Sequence, residues 1–111
     1  MPRIVLASAS VSRRRLLESA GLKPTIMVSN VDEETDFFNA MTPADMVIAL
    51  AITKAHTIRE QIDFPAIIIG CDSTFEFDSQ SLGKPATAEI AIERASRVRG
   101  NTGLLHTGHC I

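Results

Sequence analysis

The chain has 111 residues, with 11 Lys or Arg against 13 Asp or Glu and a formal net charge of −2. Hydrophobic residues make up 45% and the five Phe are its only aromatics, so the apolar mass is Ala, Ile, Leu and Val, as suits an α/β layer structure. That balance argues against a generic basic surface for long nucleic acid, and two cysteines, Cys71 and Cys110, do not make a disulfide scaffold.

The first apolar run, Ile4 to Ala7, reads as a buried strand. It is too short for a secretory h-region, and no segment approaches the ~20 apolar residues of a membrane helix. A cytoplasmic protein with reduced thiols is expected. Small hydroxyl residues, Ser8 and Ser10, follow, and then Arg13, Arg14 and Arg15 at the start of a helix from about Ser12 to Ala20. A helix N-terminus presents unpaired N–H groups and the positive end of the dipole, so this strand-to-helix corner suits phosphate. Gly21 ends the helix and Pro24 blocks its continuation. Thr25 to Val28 suits a second strand, and Asn30 to Asp36 reads as an acidic loop.

Thr42, Pro43 and Asp45 make a helix start by capping, fixed φ and dipole complementarity. The helix should run to about Arg59, with Val47, Leu50, Ala51 and Ile58 on its apolar stripe and Lys54 close by. Ala66 to Gly70 is a β-branched run expected as a central buried strand, with Asp72 at its C-terminal end. Thr74 to Phe77 continues extended, Asp78-Ser79-Gln80 turns, and Ser81-Leu82 returns to Gly83-Lys84-Pro85. Thr87 opens a further helix that Gly100 stops, and Leu104 to His109 reads as a last strand. No linker, repeat or low-complexity tract interrupts the chain.

Ligands of open α/β sheets collect outside the carboxyl ends of the strands. There the chain offers hydroxyls (Ser8, Ser10), cations (Arg13, Lys54, Lys84) and carboxylates (Asp32, Glu33, Asp72). Cations neutralise phosphates and carboxylates hold a divalent metal through oxygen. Each residue also has an ordinary reading. The Arg triplet suits a solvated helix face and the acidic run a wet loop; Ser10 or Ser12 caps a helix, Lys54 suits a helix surface, and Lys84 suits a turn. Asp72 is less ordinary, because Asp disfavours strands and is costly when buried unpaired. Gly83-Lys84 is not a P-loop, since Asp78 stands where the first Gly belongs and Pro85 where Ser or Thr does. His106, His109, Cys110 and Cys71 fit no standard zinc spacing. Met41 and Met46 read as packing.

In order and spacing, Leu6-Ala7-Ser8-Ala9-Ser10 through Arg13, Val31-Asp32-Glu33, Lys54-Ala55, Gly70-Cys71-Asp72-Ser73, Leu82-Gly83-Lys84-Pro85, Gly100 and Thr107-Gly108 resemble the Maf family of nucleoside triphosphate pyrophosphatases. The resemblance covers nearly the whole chain. Family members run to about twice this length, so residues 1–111 are expected to be the N-terminal part of a single truncated domain. The resemblance implies a mixed twisted sheet with flanking helices and a deep cleft. It implies a hydrolase of phosphorus anhydrides that cleaves a nucleoside triphosphate, including noncanonical or modified ones, to the monophosphate and pyrophosphate, with a link to cell-division arrest. It implies Asp72 as catalytic base, Glu33 and Asp72 as ligands of Mg²⁺ or Mn²⁺, and Ser8, Ser10, Arg13, Lys54 and Lys84 as substrate-binding.

The departures bear on the base. The family's usual Pro-Arg before Arg13 is here Val11-Ser12. Arg at position 12 marks the dTTP/UTP type and Trp the 7-methyl-GTP type, and Ser12 is neither. Ser73 replaces the Thr of the dTTP/UTP type, and Val98-Arg99-Gly100 replaces Leu-Ser-Gly. Ser12 and Ser73 are therefore the specificity positions, with the base left open. The alternative is an inactive nucleotide- or protein-binding module. An RNA-binding role for the Arg triplet is disfavoured by net charge and the lack of stacking aromatics. The last strand would lie at a sheet edge, where strands pair with other chains, so a homodimer or aggregation is expected.

Overall fold

The apolar run at Ala66 does not end at Gly70. It continues as one 12-residue strand, β3, to Phe77, and everything else is arranged on it. The computed structural model describes residues 2–83 and 85–111. In chain order these form β1 (Arg3–Ala7), α1 (Val11–Ser19), β2 (Thr25–Ile26), α2 (Asp36–Asn39), α3 (Pro43–Gln61), β3 (Ala66–Phe77), β4 (Gln80–Leu82), α4 (Ala88–Val98) and β5 (Leu104–Cys110). The architecture is α/β with a mixed five-stranded sheet, as expected.

Strand β1 lies parallel to both β2 and β3, pairing with β3 from Arg3↔Ala66 to Ala7↔Gly70. On the other edge of β3, β5 runs antiparallel from Gly70↔Cys110 to Glu76↔Leu104. Strand β4 pairs antiparallel from Phe75↔Leu82 to Phe77↔Gln80. Residues Phe75 and Glu76 pair with both β4 and β5, so β4 shares its edge of β3 with β1. Between the end of β1 and the start of β4, residues 71–74 have no strand partner on that edge.

The hairpin turn is shorter than expected. Asp78 and Ser79 both take positive φ, +52° and +59°, the conformation of a two-residue type I′ connection; Gln80 already belongs to β4. The helix starts follow their caps. Ser10 Oγ accepts from Arg13 N, Thr42 Oγ1 from Asp45 N and Thr87 Oγ1 from Ile90 N. Helix α2, which begins at Asp36, the last residue of the acidic loop, was not expected. Thr35 caps it and Phe38, on its inner side, is buried. Tertiary burial of one aromatic decides a helix this short, not propensity.

Both faces of the sheet contribute to the core, and the cluster under α3 is the most completely buried. Val5, Ala7 and Ile68 of the sheet pack with Ile58 of α3. Gly70 and Gly108 admit the helix. A Cβ on Gly70 would stand 2.1 Å from the Ala51 carbonyl oxygen, and one on Gly108 2.5 Å from the Val47 carbonyl. The other sheet face buries Ile4, Leu6, Cys71 and Phe77 but leaves Ile67 and Leu105 41% and 72% exposed. The run at Ala66 is therefore central but less buried than its composition suggested. No described helix is long and apolar enough to cross a membrane.

Candidate functional site

Side chains alternate along a strand, and this alternation builds the site at the 71–74 gap. Asp72 shares its face of β3 with Gly70, the face toward α3. Its register partner in β5 is Gly108. The absent side chains at 70 and 108 let α3 lie close enough for Lys54 to reach the carboxylate. Lys54 Nζ donates to Asp72 Oδ1 at 3.0 Å and lies 3.2 Å from Glu33 Oε1. The Lys54 and Asp72 side chains are only 12% and 13% exposed, Glu33 44%. Lys54, which read as an ordinary surface lysine, is thus the centre of an acid–base–acid triplet. Asp72 is not at a strand end but in mid-strand, two residues beyond the last β1 pair.

Arg13 reaches the same gap from α1. Its Nη1 donates to Ser8 Oγ at 3.0 Å and to the Cys71 carbonyl at 3.3 Å, and Nη2 donates to Ser73 Oγ at 3.0 Å. It therefore bonds the exposed backbone edge of β3 where no strand covers it. Ser73 is held in turn by a hydroxyl contact with Thr107 of β5, 2.9 Å. Three of the five guanidinium N–H groups are spent on the protein, which fixes the group in place and leaves the others for a ligand. Ser8 is buried and also accepts from the Ser10 amide.

A cavity of about 560 Å³ opens at the gap, lined in part by Ser8, Ser10, Arg13, Glu33, Lys54 and Asp72. Ser73 lines it as well. Ser12 does not; it is exposed on the outer side of α1. Arg14 is paired with Glu18, 2.8 Å, and Arg14 and Arg15 are exposed. Asp32 caps its own loop by accepting from Glu34 N. Lys84 lies outside the described residues. Met46, read as packing, lines the cavity together with Leu50, Thr74 and Ser81. Thr74 was legible from the period of two beyond Asp72; Ser81 needed the hairpin register.

Burial pushes the Cys71 thiol up from its ordinary value, against the pull of the Arg13 guanidinium. Cys71 is only 3% exposed, and a buried, protonated thiol is a poor nucleophile at neutral pH.

A divalent cation fits the oxygens present. Glu33 and Asp72 already converge on one positive charge, and in each the second oxygen lies outside that pairing. Among the described residues no cluster of three or more His, Cys, Asp or Glu could hold a metal. Two carboxylates completed by ligand oxygens is the usual manner of Mg²⁺.

Residues 3–111 match the family model described as Maf-like protein. Over 110 residues the chain is 48% identical to a nucleoside triphosphate pyrophosphatase of Streptomyces coelicolor, covering 98% of this chain and 52% of that protein. A protein of the same name from Prochlorococcus marinus (strain MIT 9303) is 48% identical over 97% of this chain and 57% of its own length. One from Thermosynechococcus vestitus is 44% identical over 96% and 53%. The chain spans about half the length of the curated relatives it matches.

Proposed function

This chain belongs to the Maf-like protein family, and from that premise we propose that it is a nucleoside triphosphate pyrophosphatase, cleaving its substrate to the nucleoside monophosphate and pyrophosphate. The observation that carries the reading is Lys54 held between Glu33 and Asp72 on the wall of a cavity that Arg13 also lines. The name that the relatives carry, nucleoside triphosphate pyrophosphatase, supports the same reaction.

In the proposed mechanism the triphosphate lies along the gap with its charge toward Arg13 and Lys54, with Lys84 as a third cation. Ser8 and Ser10 contribute hydroxyls at the first corner. Asp72 takes a proton from a water that attacks the α-phosphorus. The bond from that phosphorus to the bridging oxygen breaks, and pyrophosphate leaves with the electron pair. Arg13 and Lys54 offset the charge that builds on it. Glu33 and Asp72 would hold Mg²⁺ or Mn²⁺, which supplies further charge neutralisation at the phosphate oxygens. Ser73, anchored to Arg13 and Thr107, is the better placed of the two specificity candidates. Ser12 lies outside the cavity and acts at most through α1. The free thiols Cys71 and Cys110 support a cytoplasmic location.

Product analysis tests the reading. Incubation of the 111-residue chain with mixed triphosphates and Mg²⁺ yields monophosphate and pyrophosphate, and chelation of the cation stops it. Diphosphate and orthophosphate as products, or binding with no product, would overturn it in favour of a different cleavage or a binding module.

A further inference from the structure

Thr74 is the next side chain after Asp72 on the α3 face of β3, roughly 7 Å along the strand, and only 5% exposed. Ser81 of β4 is the register partner of Glu76 and so stands on the same face. The hydroxyls of Thr74 and Ser81 are hydrogen-bonded to each other, and both residues line the cavity. Leu50 and Met46, about one and two helical turns before Lys54, line it too. Among the described residues the lining therefore divides by chemistry: Arg13, Glu33, Glu34, Lys54 and Asp72 bring charge, while the hydroxyl pair and the Met46 thioether bring none.

A nucleotide has the same division. Its phosphates carry charge and accept hydrogen bonds, while its base has apolar faces and a polar edge. Within the Thr74–Ser81 pair one hydroxyl donates to the other, so one proton and several lone pairs stay free. Hydroxyls rotate, and the pair can thus donate or accept but brings no charge to a phosphate. Met46 adapts to an aromatic face. Resting on the pyrophosphatase reading, we propose that the Thr74–Ser81 pair recognises the polar edge of the substrate's base, with Met46 packing on its face.

Calorimetric titration of the 111-residue chain, with a chelator present, tests this against a panel of nucleoside triphosphates and inorganic tripolyphosphate. The chain binds its preferred nucleotide more tightly than tripolyphosphate. Thr74→Val and Ser81→Ala each weaken that nucleotide about ten-fold, the loss of one well-made hydrogen bond. Tripolyphosphate affinity is unchanged, and Thr74→Ser, which keeps the hydroxyl, restores nucleotide binding. Ser81 is exposed, so its variant folds even if Thr74→Val does not. An equal loss for nucleotide and tripolyphosphate, a loss uniform across all bases, or no loss would each overturn the assignment. Absence of pyrophosphate release alongside base-dependent affinity sinks the hydrolase reading and leaves the pair standing. Turnover with base-blind affinity does the reverse.

Discussion

Lys54 links two carboxylates that would otherwise repel, and its neutral replacement leaves Asp72 charged and nearly buried without a partner. Lys54→Met should lower stability by about 2 kcal/mol, read as a lower midpoint in urea at pH 7. Unchanged stability would mean the triplet is solvated and that Asp72 does not depend on it. Cys71 gives a second residue-scale prediction. Its thiol pKa is raised in the fold by burial, so the fold holds that proton more tightly than the open chain. The stability it contributes is full below the ordinary thiol value and is lost as pH rises through the raised folded value. Urea midpoints of the parent chain should fall over that alkaline window, and Cys71→Ala should remove part of the fall; parallel curves would count against a buried thiol. At this scale the sequence carried residue types and order but not contacts. Asp72 stood out because an Asp after an apolar run is unusual. The burial of Lys54 was invisible, because it depends on Gly70 and Gly108, distant in sequence, both lacking a side chain where α3 crosses.

The elements show the same coupling. Helix α3 sits where it does because nothing projects from β3 at Gly70 or from β5 at Gly108. Gly70→Ala or Gly108→Ala must push the helix away, at a cost of about 1–3 kcal/mol. Each should also reduce turnover, since the shift separates Lys54 from Asp72. Wild-type stability in both variants would show that the helix does not pack as described. In the hairpin, Ser79 holds a left-handed conformation, φ +59°, that glycine adopts without strain. Ser79→Gly should stabilise by about 0.5–1 kcal/mol, after allowing for glycine's larger backbone entropy, measured by thermal or chemical melting. The caps at Ser10, Thr42 and Thr87 and the helices they start were readable because capping is local. The full length of β3 was not. Gly70 and Asp72 disfavour a strand, and beyond the last β1 pair at Gly70 the ladder to β5 carries the strand through Asp72 and Ser73.

Across the whole molecule α3 covers one face of the sheet, while the other buries Ile4, Leu6 and Cys71 and leaves part of β5 exposed. Leu105 is 72% exposed and Ile111 84%, and among the described residues β5 pairs only with β3. From these exposed apolar residues beside a strand edge we propose self-association of the 111-residue chain. Light scattering should show a mass that rises with concentration, and Leu105→Lys should hold the chain monomeric; a parent chain monomeric at every concentration would argue against a dimer. The mixed α/β class was legible from composition and from the alternation of apolar runs with capped helices. A cleft and most of its lining residues were expected, but not how it forms: it depends on a gap between β1 and β4 along one edge of β3, a property of register that no single segment contains. Five separated segments meet at that gap, and the proposed chemistry depends on their meeting. Pyrophosphate release by the parent chain and by Asp72→Asn, with nucleotide affinity measured alongside, tests it most directly. Turnover should drop about a thousand-fold in the variant while nucleotide still binds; a variant that hydrolyses triphosphate as fast as its parent would remove Asp72, and with it the catalytic reading of the gap.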